Sequence, residues 1–142
     1  MILLFLDTNI VIDFLTDRKP FSLFAAKLFD YSENGKVKLY LSAVSYNNTY
    51  YIIRKLTSHK AAIKTMKALE ELTETIDTTA TSIKYALNSD FKDFEDAIQY
   101  YTARENPGLN GIVTRNPSDF KHSKLPIWTP EQAVKYIETE SQ

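Results

Sequence analysis

Met1-Ile-Leu-Leu-Phe-Leu-Asp-Thr-Asn-Ile10 is the stretch on which the fold turns. The apolar run Ile2 to Leu6 is too short for a helix and suits a strand buried on both faces. It stops at Asp7, and Asp7-Thr8-Asn9 are residue types that cap helices. Ile10, Val11, Phe14 and Leu15 then recur at helical spacing. A buried strand that passes through an acid into a helix is the opening unit of a parallel α/β sheet.

The same alternation continues along the chain. Val37 to Leu41 and Gly111 to Thr114 read as short buried strands. Leu72 to Ile76 and Pro126 to Trp128 add two more. Between them, Pro20 opens a helix that Asn34-Gly35 ends, and Ser42 caps one that runs to about Leu56. Ser58 caps the next, and Thr79 to Leu87 is helical. Asp93 to Glu105 carries Phe94, Ala97, Ile98 and Tyr101 on one face and ends at Asn106-Pro107-Gly108. Thr129 caps a last helix, with Pro130 at its first position and Gln132 three residues from the cap. This order predicts an α/β fold, a three-layer αβα sandwich around a short central parallel sheet. Residues 1–142 are expected to form a single domain.

Composition narrows the chemistry. There is no cysteine, which excludes disulfides, thiolate metal sites and a Cys nucleophile. Two histidines, His59 and His122, are too few for a His-rich metal site and read as surface residues. Hydrolytic metal chemistry would therefore rest on oxygen ligands, which favour Mg²⁺ or Mn²⁺. The net charge of −1 gives no bulk electrostatic case for a nucleic-acid partner, which usually meets a strongly basic domain. No apolar run approaches the roughly 18 residues of a membrane span, and the apolar start lacks a basic leader. The expected address is the cytoplasm, with no membrane partner.

Three acids hold special places in this pattern. Asp7 follows the first strand directly. Asp96 lies in the first turn of a long helix, and Asp119 in the loop after Ile112-Val113. In open α/β sheets the ligand crevice lies beyond the carboxyl ends of the strands. Asp7 and Asp119 should both reach it, and the helix from Asp93 can present Asp96 to the same place. Carboxylates that converge repel one another, and such clusters persist mainly where a cation binds. Taken singly, each acid also has a structural role open to it. Asp7 can cap the first helix, Asp93, Glu95 and Asp96 can oppose a helix dipole, and Asp119 can shape a turn.

Taken together, these segments resemble a known family. Leu6-Asp7-Thr8-Asn9-Ile10, Asp93-Phe94-Glu95-Asp96-Ala97, and Ile112-Val113-Thr114-Arg115-Asn116 through Asp119-Phe120 look like the first, third and fourth motifs of PIN domains. Leu41-Ser42-Ala43-Val44-Ser45, with the helix after it, looks like the second. The resemblance runs from about residue 2 to 134. It implies a PIN-like parallel sheet flanked by helices and a Mg²⁺- or Mn²⁺-dependent endoribonuclease, of the kind found among VapC-type toxins held inactive by an antitoxin. In-line hydrolysis leaving a 5′-phosphate and a 3′-hydroxyl goes with it, and so does a homodimer.

Carried over residue by residue, the resemblance makes Asp7, Asp96 and Asp119 the metal-binding, catalytic acids. Thr8, Asn9, Thr114 and Asn116 become the polar groups that orient them. Asp93, one turn before Asp96, joins through a water. The second motif usually carries a Glu after Ser42, and the matching position here is Asn48, which offers a neutral carbonyl oxygen in place of a charge. Arg18 and Arg115 flank loops at the proposed active end and are the candidates for RNA phosphate contacts. Tyr46, Tyr50 and Tyr51 can stack bases or pack in a core or interface. The competing reading is non-enzymatic, a PIN-like fold whose weakened site serves as an RNA-binding or protein-interaction module. A nuclease acting on DNA or on structured RNA ends is a third.

Overall fold

The computed structural model describes residues 1–140. Five strands form among the described residues: β1 (Ile2–Leu6), β2 (Val37–Ser42), β3 (Glu74–Ile76), β4 (Gly111–Val113) and β5 (Ile127–Trp128). Seven α-helices accompany them among the described residues: α1 (Thr8–Leu15), α2 (Ser22–Glu33), α3 (Ala43–Leu56), α4 (His59–Leu72), α5 (Ala80–Leu87), α6 (Phe94–Arg104) and α7 (Pro130–Glu140). All strand pairs are parallel, in the order β3-β2-β1-β4-β5. This is the expected αβα sandwich.

Alternation along the strands divides the core in two. Leu4 and Leu6 of β1 join Leu39 and Leu41 of β2 under α1, α2 and α7, where Ile10, Leu28, Phe29 and Ile137 are buried. Phe5 and Ile112 point to the other face and meet Tyr100 and Ala103 of α6, with Phe120. The period of two explains why so short an apolar run serves both layers.

Local signals set most boundaries. Ser42, Ser58 and Thr79 each accept a hydrogen bond from the backbone N–H three residues on, capping α3, α4 and α5. Gly35 has φ +75°, and the amides of Gly35 and Lys36 bond back to the carbonyls of Ser32 and Tyr31, closing α2 as glycine permits. Gly111 has a different reason to be glycine: a Cβ there would lie 2.9 Å from the Pro126 carbonyl oxygen.

Three expectations shift. Pro20 precedes α2, which begins at Ser22, because the Ser22 hydroxyl and amide are tied to Asp17 and Arg18 in the turn before it. Leu72 ends α4, packed on the core, so β3 starts at Glu74. The polar loop after β4 contains a 3₁₀ turn at Pro117–Phe120 that buries Phe120. No described helix is long and apolar enough to cross a membrane.

The strand order places the site. From β1 the chain builds outward through β2 and β3, then returns to the other side of β1 with β4. The crevice between the carboxyl ends of β1 and β4 is therefore the switch point at which open α/β sheets bind ligands.

Candidate active site

Asp7 stands at this crevice. Its backbone N–H donates to the Val113 carbonyl at 2.9 Å, extending the β1–β4 ladder by one step. It occupies the N-cap position of α1, yet its side chain accepts no capping hydrogen bond. The carboxylate is instead turned to Thr114, whose Oγ1 donates to Asp7 Oδ2 at 2.9 Å. Only 4% of the residue is exposed. Burial pushes its carboxyl up to about 6 against the lowering effect of the bonds from Thr114 and Thr8, and the charges of Glu95 and Asp119 add to the rise.

Helix α6 supplies the second group of acids. Asp93 is its N-cap and accepts from the Asp96 amide at 3.1 Å, a structural task that leaves Asp96 uncommitted. Asp96 is half-buried, and its carboxyl is pushed up to about 7, first by burial and then by Asp7, Asp93, Asp119 and Glu95. Asp119 reaches the same place from the 3₁₀ turn. A cavity of about 600 Å³ is lined by Asp7, Asn9, Asp93, Glu95, Asp96 and Asp119, with Asp90, Ser118, Lys92, Lys121 and His122 on its wall.

This donor set fits a hard divalent ion such as Mg²⁺ or Mn²⁺, because it is built of oxygen alone. The electrostatics agree, since carboxyls whose ionisation is opposed, first by burial and then by neighbouring acids, ionise more readily beside a cation. Among the described residues, no three His, Asp or Glu side chains already converge on one ion position. The acids line a common wall without forming a closed cage.

Beneath the cavity lies a neutral polar cluster. Gln99 Nε2 donates to Thr8 Oγ1 at 2.8 Å and to Ser45 Oγ at 3.1 Å, and the two hydroxyls are 2.7 Å apart. Gln99 is fully buried one turn beyond Asp96, so the cluster ties α6 to α1 and α3. Thr8 thus acts through this cluster rather than on the cavity wall. Asn116 donates its backbone N–H to Thr114 Oγ1 at 3.1 Å, steadying the hydroxyl that holds Asp7.

Other candidates lie elsewhere. Asn48 is half-buried on α3 and does not line the cavity. Neither Arg18 nor Arg115 lines it. Arg115 Nε is 2.9 Å from Asp13 Oδ2, and its guanidinium lies 4.1 Å from the Phe21 ring centre. Asp13 is 1% exposed; burial raises its carboxyl, and Arg115 and Arg18 oppose that rise. A buried carboxylate needs such a partner, which gives Arg115 a structural duty that its position in the sequence does not disclose. Of the tyrosines, Tyr46 packs against the core and Tyr50 Oη pairs with His59 Nδ1 at 2.6 Å.

The family model described as PIN domain matches residues 4–118. The chain belongs to the PIN domain family. Among solved structures, a toxin–antitoxin complex from Klebsiella pneumoniae is 22% identical, with a TM-score of 0.64 over 89% of this chain and 96% of that one. VapBC2 from Rickettsia felis, bound to a promoter DNA fragment, is 16% identical, with a TM-score of 0.64 over 89% and 99%. Mycobacterium tuberculosis VapC20, a Sarcin-Ricin loop cleaving toxin, is 17% identical, with a TM-score of 0.61 over 77% and 86%. The chain is similar in fold to each. No curated protein gives a significant match.

Within this PIN fold, sequence reasoning missed Glu95, which reads as a helix-dipole residue but faces the acid cavity beside Asp96. His122 is exposed, as its sequence reading has it, and lines the same wall. The run Asp93-Phe94-Glu95-Asp96 carries a signal for Glu95. A helix turns about 100° per residue, so neighbours can share a wide opening at its end.

Proposed function

We propose that this PIN protein is a divalent-metal-dependent endoribonuclease and the toxin of a toxin–antitoxin pair. The observation that carries the reading is the gathering of Asp7, Asp96 and Asp119 on one cavity at the β1–β4 switch point, with Asp7 and Asp96 held near neutrality. Acids gathered at a ligand crevice around a buried Asp7 and a half-buried Asp96 raise the energy of the empty protein, and a bound cation offsets that cost.

In this reading Asp7, Asp96 and Asp119 would hold Mg²⁺ or Mn²⁺, with Glu95 and Asp93 close by. The bound metal supplies an activated water and charge stabilisation at the scissile phosphate. The chain's own residues do the positioning. Thr114 fixes the direction of the Asp7 carboxylate, Asp93 holds the first turn of α6, and the Gln99 cluster sets the distance between the helices that present the acids. Asn9 lines the cavity wall and would offer its amide to the substrate.

The named complexes of the Rickettsia and Klebsiella proteins support a protein antitoxin as partner, and the Mycobacterium toxin supports RNA as substrate. A homodimer and a cytoplasmic address go with the same reading. Incubating the purified protein with RNA, with and without Mg²⁺ or Mn²⁺, tests it. Metal-dependent products bearing 5′-phosphates are expected. RNA binding without cleavage would instead favour the non-enzymatic module.

A further inference from the structure

The acid cavity continues past its carboxylates. It shares Asp90, Phe91 and His122 with a neighbouring cavity of about 260 Å³. There the charge changes sign. Arg104 and Lys124 join His122, and among the described residues Asp90 is the one acid on that wall. Among the described residues, no ion pair engages Arg104, His122 or Lys124.

The backbone carrying these side chains is fastened. Lys124 donates its backbone N–H to Tyr100 Oη at 3.0 Å, and Tyr100 is buried on α6. Ser123 Oγ donates to the Leu125 carbonyl at 2.8 Å and accepts from the Leu125 amide at 2.9 Å. The loop bearing His122 and Lys124 is thereby pinned to the helix that bears both Asp96 and Arg104. Eight residues separate those two on α6, about 12 Å along the axis at 1.5 Å per residue. Phe91, 5.3 Å from the Tyr100 ring and 5.9 Å from the Phe120 ring between centroids, lines both cavities.

An acidic cavity alone repels a polyanion, so a strand that threads it needs an attractive hold nearby. We propose that Arg104, His122 and Lys124 form a phosphodiester subsite, which holds the backbone of single-stranded RNA beside the phosphate presented to the acids. This rests on the nuclease reading and deepens it. The cavity is smaller than the roughly 300–1,000 Å³ of ligand pockets and is of a size for a phosphate and its sugar. Two cavities sharing one wall suit a flexible strand better than a stiff duplex.

The test uses the Asp96→Asn protein in EDTA, which separates binding from cleavage. Fluorescence anisotropy follows an unstructured, labelled RNA oligonucleotide across a KCl series. Adding Arg104→Gln and Lys124→Gln together should raise Kd about five-fold or more and lower the slope of log K against log salt by about 1.4, at about 0.7 per phosphate contact. Arg104→Lys with Lys124→Arg should keep the parent slope. Lys60→Gln with Lys64→Gln removes the same charge from α4, outside both cavities, and should leave the slope unchanged. Equal losses in the two Gln pairs, no loss in either, or no RNA binding by the parent would overturn the subsite. Cleavage by the wild type is read separately. Charge-dependent binding without any metal-dependent cleavage would overturn the nuclease reading and uphold the subsite.

Discussion

Thr114 Oγ1 holds Asp7 Oδ2 at 2.9 Å across the junction of β1 and β4, and the same hydroxyl accepts the Asn116 amide. One side chain therefore links the acid at the end of one strand to the loop that leaves the next. Thr114→Val should strand both partners, at a cost of about 1–3 kcal/mol near neutral pH. It should also weaken Mn²⁺ binding by several-fold. Thr114→Ser keeps the hydroxyl and should behave like wild type. Urea denaturation and isothermal titration of both variants check this, and a Val variant with unchanged metal affinity would dissociate Thr114 from the site.

Asp7→Asn, Asp96→Asn and Asp119→Asn should each abolish cleavage. In the metal-free state Asp7→Asn and Asp96→Asn should match wild-type stability or exceed it, because each removes one of several carboxylates that repel one another. Mg²⁺ should raise the Tm of wild type more than that of any variant. Equal metal stabilisation in all four proteins would show that the acids do not share a site. A marked loss of apo stability in Asp7→Asn would restore a capping role, against the unbonded cap seen here.

The pH dependence of apo stability follows from the burial of these acids first and from their crowding second. The folded-state values of Asp7 and Asp96 lie above the ordinary 3.8, at about 6 and about 7. The folded protein therefore holds more protons than the unfolded chain between about pH 4 and pH 7, and these two groups make stability fall as pH rises through that window. A Tm lower by roughly 5–10 °C at pH 8 than at pH 5 is expected from them, at a few degrees per kcal/mol for a chain of this size and with the share of half-buried Asp96 reduced by solvent screening. Asp96→Asn should flatten the trend, and saturating Mg²⁺ should flatten it in wild type. A Tm rising steadily from pH 5 to pH 8 in the apo protein, unaltered in Asp96→Asn, would contradict the raised values of these two acids.

The strands and most helix boundaries were legible because their causes are local. Apolar runs of strand length and Ser, Thr and Gly at helix ends carry their own geometry. The meeting of Asp7 and Asp119 was legible for a topological reason, since the ends of parallel strands in an αβα fold share one crevice, and that of Asp96 from its place in the first turn of a helix that starts there. What stayed hidden depends on partners distant in sequence. Nothing near Arg115 announces that Asp13, about a hundred residues earlier, is buried and needs its charge. The spacing after Ser42 put Asn48 in register with the second motif, but α3 approaches α1 through Ser45 and Thr8, and Asn48 stays off the cavity wall. Gln99 lies on an otherwise apolar stretch of α6, and only the fold shows the hydroxyls it joins.

Arg115→Gln is expected to act on stability, because it leaves the Asp13 carboxylate without its closest cation. Removing one partner of a buried pair typically costs about 3–5 kcal/mol, and the one-fifth exposure of the Arg115 side chain puts the effect toward the lower figure. Adding Asp13→Asn to it should recover much of the loss. Arg18→Gln, on an exposed side chain, should cost under about 1 kcal/mol. Chemical denaturation of the single and double variants measures all three. An Arg115→Gln protein as stable as wild type would mean that Asp13 has no need of this partner.

The most direct test of the account is cleavage of labelled RNA by wild type and Asp96→Asn, side by side, with Mn²⁺ and with EDTA. The acid cavity as a metal-dependent nuclease site predicts 5′-phosphate products from wild type in Mn²⁺ alone, and none from Asp96→Asn in either condition. Undiminished cleavage by Asp96→Asn, or by wild type in EDTA, would contradict it.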